Sequence, residues 1–341
     1  MKLLLVVAAA LAVVSCANDS VVDPEFHAWK LKFERSYSSP SEEAEHMQIW
    51  LRNREAVLEH NAMADQSNSS YRLGMTNFAD MEPEEFTRNF SSGSFNASRP
   101  RQHFVSKLLH AIGQHLPQSM DWRAHGLVTS VKDQKKCACD WPSVHDVSFC
   151  GNCTTGSLEG QHFKTTQNLV SLSEQQLVDC SEKYGSSGCH GGSVEAAFKY
   201  IMAYGGIEMK DTYKYVAQKQ TCSSHPDKII ATCSDYQDVL KNDEQALKVA
   251  VATIGPISVG IDASLASFRN YESGVYDESD CSSTFANHYA LVVGYGKENG
   301  KDYWLVKNSW GTAWGEEGYI KMKRDSGNQC GIASEASFPM V

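Results

Sequence analysis

The chain has 341 residues, 42% of them hydrophobic and 21% charged, with a formal net charge of −10. That length exceeds a single compact domain and predicts two or three units of ordinary globular composition. The acidic balance argues against nucleic acid or an anionic membrane as a partner, and points only to solubility and tolerance of an acidic compartment.

The first element is an address. Lys2 precedes an unbroken apolar run from Leu3 to Val14, and Ser15-Cys16-Ala17 offers small residues for cleavage, which reads as a signal peptide over residues 1–17. The run is too short to cross a bilayer, and no later stretch approaches the ~20 apolar residues a span needs. Val13-Val14-Ser15-Cys16 also looks like a bacterial lipoprotein box, but nothing else in the chain supports lipidation. Eleven cysteines on a secretory route predict disulfides. Sequons at Asn68, Asn89, Asn96 and Asn152 fit the same route.

Three segments follow. Within residues 18–87, the stretch from about Val22 to Met63 is charged and amphipathic, with Trp29, Phe33, Trp50, Val57 and Leu58 at helical spacings and Pro40 separating two helices. Residues 88–115 are rich in Ser, Asn, Gly and basic side chains without periodicity, a protease-accessible linker. Residues 116–341 change texture. Ser171–Cys180, Val194–Tyr204 and Glu244–Ile254 read as helices, the last capped by Asn242 or Asp243. Strand-like runs follow at Pro256–Asp262, His288–Tyr295, Tyr303–Lys307 and Gly318–Lys323. Helices first and strands later is an α+β order.

Leu116-Pro-Gln-Ser-Met-Asp-Trp-Arg123, Val131-Lys-Asp-Gln134, Thr155-Gly-Ser-Leu-Glu-Gly-Gln-His162 and Ser171-Leu-Ser-Glu-Gln-Gln-Leu-Val-Asp-Cys180 occur in one order with Gly188-Cys-His-Gly-Gly192, Asn287-His288, Lys307-Asn-Ser-Trp-Gly-Thr-Ala-Trp-Gly315 and Cys330-Gly-Ile-Ala-Ser334. The whole set resembles the papain-like cysteine proteases of cathepsin L type. The resemblance implies a two-domain fold, with a helical left domain and an antiparallel, β-barrel-like right domain behind a helical prodomain. Glu42, His46, Trp50, Asn53, Val57 and Asn61 follow the spacing of that family's inhibitory propeptide helix, and Gly74, Phe78 and Asp80 keep most of its second motif. His46 and Trp50 stand where arginine and phenylalanine are usual. Such a prosegment would occupy the cleft in reverse until acid-triggered removal near residue 115.

The implied chemistry is thiolate attack on a peptide carbonyl, because a thiolate is a far better nucleophile than a thiol. By resemblance His288 is the base, Asn308 orients it, Trp310 shields their hydrogen bond, and Gln134 donates to the developing oxyanion. The nucleophile depends on register. Counting from Gln134 puts Cys137 at the structural cysteine, Trp141 at the tryptophan and Asp140 at the nucleophile, which gives a dead enzyme. Cys139 is one residue away, about 100° around a helix. Counting back from the helix makes Cys150-Gly-Asn-Cys153 the active-site tetrapeptide, with Cys153 the nucleophile on a helix starting about 6 Å lower. A third reading gathers Cys137, Cys139, His145, Cys150 and Cys153 into a zinc site, which an oxidising compartment disfavours.

The resemblance further implies disulfides Cys180–Cys222 and Cys281–Cys330, with Cys189 bound to Cys137 or Cys150 and Cys233 a buried free thiol. It assigns substrate backbone to Gly191 and Gly192, and a specificity pocket to Val194, the surroundings of His288, and Glu335 at its base. Glu335 suggests tolerance of a basic side chain, while Tyr289, where the family places alanine or glycine, would narrow the pocket. The expectation is therefore a monomeric, cofactor-free endopeptidase precursor of the lysosome or extracellular space, binding peptides or proteins and its own prodomain. The alternative is an inactive protease-like binding or scaffold protein.

Overall fold

The computed structural model describes residues 23–66, 69–90, 116–137 and 151–341. The expected signal peptide over 1–17, most of the expected linker over 88–115, and Ala138 to Cys150 with Asp140 lie outside them. So do the sequons at Asn68 and Asn96.

The prodomain opens with α1 (Pro24–Lys32) and α2 (Pro40–Asp65). Pro40 is the first residue of α2, where its missing N–H costs nothing, and the Ser39 side chain caps the N–H of Glu42. Glu42 returns the favour by accepting from the Ser38 N–H at 2.6 Å. The i, i+3 and i, i+4 residues of α2 form one working face. Trp50 packs among Phe26 and Trp29, Asn53 Nδ2 donates to the Ala79 carbonyl at 2.8 Å, and Asn61 pairs with both backbone groups of Leu73. Those bonds hold strand β1 (Tyr71–Leu73) and the loop leading to helix α3 (Pro83–Phe90). Asp80 gathers Arg35, Tyr37 and His46 around that loop.

The rest is two layers. Helices α4 (Gly151–Thr166), α5 (Glu174–Cys180) and α6 (Val194–Tyr204) surround one apolar core with Leu158, Leu177, Phe198 and Ile201. Strands β6 (Ile257–Ile261), β7 (Tyr271–Tyr276), β8 (His288–Glu298), β9 (Lys301–Lys307), β10 (Tyr319–Lys323) and β11 (Ala336–Met340) build the second. Among the described residues the sheet runs β1-β7-β10-β9-β8-β6-β11-β5, with β5 at Asp235–Asp238 and β2 (Met120–Asp121) pairing β8. Only the β7–β10 pair is parallel. The architecture is the α+β class expected from the order of elements, with helical prodomain, helical left layer and sheet-built right layer.

Boundaries shift for local reasons. The Ser171–Cys180 segment turns helical only at Glu174, because the Ser173 hydroxyl caps Gln176 and Leu172 bridges to Met209. Asp243, not Asn242, caps α7 (Glu244–Thr253).

Candidate active site

β8 begins at His288 and β9 ends at Lys307, so antiparallel pairing brings the head of one strand to the tail of the other. His288 Nε2 and Asn308 Oδ1 are 2.8 Å apart, and the same oxygen accepts from the Ser309 N–H at 2.7 Å. An oxygen that already accepts from a backbone donor requires the imidazole to donate as well, which fixes the proton on Nε2 and leaves Nδ1 with its lone pair. Trp310 covers the pair, its ring centroid 4.8 Å from that of His288. His288 is 1% exposed, and among the described residues its Nδ1 has no partner. Burial pulls its pKa from 6.5 to about 4 against the opposing hydrogen bond to Asn308, so the ring is neutral near pH 7.

Gln134 is held from three sides. Its N–H donates to the Ser309 carbonyl at 2.9 Å, its carbonyl accepts from the Tyr215 hydroxyl at 2.8 Å, and its side-chain Oε1 accepts from Ser309 Oγ at 2.7 Å. The amide is thereby oriented with its NH2 away from Ser309. Cys137, three residues on, is bridged to Cys189 with a Cα separation of 4.6 Å. Of the two partners that the resemblance implied for Cys189, the bridge uses Cys137. The bridge anchors the Gln134 turn to the turn of Gly191, whose φ of 129° favours glycine. Cys180–Cys222 and Cys281–Cys330 are also bridged, and Cys233 is a buried free thiol whose pKa burial raises to about 12.

Cys153 differs most from the requirements of a nucleophile. It is the third residue of α4, is 1% exposed, and its carbonyl accepts from Ser258 Oγ at 2.9 Å. Its sulfur is closed in a disulfide. A thiolate there requires that bond to open. A space of about 10 Å³, room for one water, is lined by Cys153 together with Lys132, Asn152, Lys307 and Asn308. Asp140 and the remaining zinc-site residues Cys139, His145 and Cys150 lie outside the described residues. Cys137 and Cys153, being oxidised, supply no thiolate to a metal.

Of the residues expected to line a specificity pocket, Tyr289 and Glu335 are paired. The Tyr289 hydroxyl donates to Glu335 Oε2 at 2.9 Å, and the ring lies over Gly260, where a Cβ would stand 3.4 Å from Tyr289 Cε1 and 3.3 Å from the Ala286 Cβ. Val194 and Tyr289 are both 4% exposed. Burial raises the pKa of Glu335, which the Tyr289 hydrogen bond opposes.

Sequence reasoning missed a buried charge network under this site. Lys132 reaches Glu159 of α4 at 2.6 Å, Glu174 of α5, and Thr155 Oγ1 at 3.0 Å. Burial works against the charge on Lys132, but the two carboxylates outweigh it and raise its pKa. Lys307 Nζ donates to the Thr129 carbonyl at 2.8 Å, and burial lowers its pKa to about 8. The signal was a lysine two residues before Gln134, which alone reads as a solvated loop side chain.

The prodomain lies on the same wall. Phe78 and Phe86 meet Trp310 edge-on, with centroids 5.1 and 5.4 Å away, and β1 pairs antiparallel with β7.

Residues 116–340 match the papain family cysteine protease profile, and residues 26–86 match the cathepsin propeptide inhibitor domain. A cathepsin L-like peptidase of Aedes aegypti is 42% identical over 348 residues, covering 100% of both chains. A cathepsin L of Sarcophaga peregrina is 44% identical over 326 residues, covering 94% of each. The structure of digestive procathepsin L 3 from Tenebrio molitor larval midgut superposes with a TM-score of 0.82 at 39% identity, covering 93% of this chain and 98% of that one.

Proposed function

We propose, since this chain belongs to the papain family of cysteine proteases and carries that family's inhibitory propeptide, that it is the precursor of a protease-shaped protein holding extended peptide in its groove without cutting it. The observation that carries this reading is the state of Cys153: interior, 1% exposed and oxidised, while the Nδ1 of His288 faces no acidic partner among the described residues. Without a thiolate, a neutral imidazole has no proton to take and no negative charge to stabilise it. Gly191 and Gly192 offer backbone to an extended peptide, and Gln134, Val194, Tyr289, Trp310 and Glu335 line the path. The prodomain over residues 18–87 blocks that path until the linker of 88–115 is cut. Residues 1–17 direct the chain to the secretory pathway, for the lysosome or the outside.

A hydrolytic reading has one observation in its favour. His288, Asn308 and Trp310 keep the mutual geometry that a base requires, at 2.8 and 4.8 Å. A peptidyl electrophile selective for activated thiols, applied after the linker is cut, decides between them. The binding reading expects no adduct and no hydrolysis of reporter peptides. Hydrolysis that disappears in His288→Ala would overturn it.

A further inference from the structure

Arg269 ends the one-turn helix Ala266–Arg269 and is 2% exposed. A guanidinium stays charged in a protein, so burial obliges it to find acceptors. Among the described residues the hydrogen bonds it makes within its own domain are to its backbone, whose carbonyl accepts from Trp314 Nε1 at 2.9 Å. Among the described residues the guanidinium meets prodomain atoms: Nη1 donates to the Met81 carbonyl at 3.3 Å, and the Phe86 ring centroid is 5.0 Å away. Nε has no partner. Burial lowers the pKa of Arg269, which the fields of Glu82, Glu84 and Glu85 oppose from the start of α3. Glu82 spends its own ion pair on Arg52. The prodomain thus offers Arg269 acidic surroundings without a direct partner.

The position matters. Phe268 packs edge-on against Trp310 with centroids 5.7 Å apart, and Trp310 is the cover of His288. When the prodomain leaves, Met81 and Phe86 leave with it, and the guanidinium is left on the groove wall with donors unused.

We propose that Arg269 is an acid-recognising subsite of the mature groove, binding the side-chain carboxylate of an aspartate or glutamate in a peptide that runs past Trp310. The assignment rests on the peptide-binding reading. It adds a charge preference that neither the glycine turn nor the Tyr289–Glu335 pair provides. In the precursor the acidic start of α3 covers the subsite.

The test uses the full chain, folded with its prodomain, then nicked within residues 91–115 by an added protease and diluted until the prodomain dissociates. Labelled peptides with amidated C-termini, identical except for Glu, Gln or Lys scanned through successive positions, are titrated by fluorescence anisotropy. At one register the Glu peptide binds about tenfold tighter than the Gln peptide, and the advantage shrinks as salt rises. Arg269→Gln abolishes the preference and Arg269→Lys keeps part of it. The comparison of Glu and Gln peptides on the unaltered protein stands even if a variant fails to fold. Equal affinity at every position overturns the acidic subsite alone. Failure of every peptide to bind brings down the groove reading and the subsite together.

Discussion

Replacing His288 with glutamine tests the electrostatic state of the site directly. With a folded pKa of about 4 against 6.5 for a free imidazole, His288 is proton-poor in the native state and proton-hungry once unfolded. Its contribution is fully present above pH 6.5 and is lost as the pH falls towards 4, because the unfolded chain then binds the extra proton. At ~1.4 kcal/mol per pH unit the gap is worth roughly 3 kcal/mol. That corresponds to a midpoint change of roughly 6–12 °C for a domain of this size. The assay is thermal unfolding of the precursor and of His288→Gln between pH 7.5 and 4, read as the difference between the two. The difference should swing against the unaltered protein as pH falls through this window. A thiolate facing Nδ1 would raise the imidazole pKa above 6.5 and reverse the sign, making the unaltered protein gain on its variant in acid. A level or reversed difference refutes the lone neutral imidazole.

Three further outcomes follow from the geometry. Lys132→Met leaves Glu159 buried without its ion-pair partner and Glu174 with only Lys210 at 3.7 Å, a loss of about 3–5 kcal/mol. Adding Glu159→Gln to it should recover part of the melting temperature. Tyr289→Ala should open the space over Gly260 and let a peptide carrying phenylalanine bind tighter than its glycine counterpart by roughly 10- to 150-fold, measured by titration of the nicked protein. Phe86→Ala removes the ring that touches Trp310, Phe78 and Arg269, a loss of about 3–5 kcal/mol, and should speed prodomain release in a stopped dilution.

Much of this molecule was legible in its residue order because the periodicities are strong. The α2 face could be read from Trp50 to Asn61, and the β8 and β9 strands from their apolar runs. The strands that escaped notice break local rules. Strand β7 carries Gly274 at a φ of 87°, pressed against the prodomain, where a Cβ would meet the Ser70 carbonyl oxygen at 2.5 Å. Strand β11 carries Pro339 opposite Tyr236, and proline ordinarily demotes a strand. Their pairing is set by distant neighbours that no short window reveals. The site divided the same way. His288 and Asn308 sit in recognisable surroundings, whereas the fate of Cys153 depends on which sulfur reaches it in space. Lys132 and Arg269 drew no reading of their own, because nothing nearby in sequence supplies the carboxylates or rings that bury them.

The pairing of β1 with β7 carries a consequence for the life of the protein after its prodomain is shed. Strand β1 is contributed by the prodomain, and it is the outermost member of the sheet beyond Tyr271–Tyr276. Its departure bares a row of backbone donors and acceptors, among them the Asn270 carbonyl, which accepts from the Gly74 N–H, and the Val275 N–H, which donates to the Ser70 carbonyl. A bare strand border invites a second copy to add itself there. While it is in place, the prodomain therefore covers that strand border as well as the wall around Trp310.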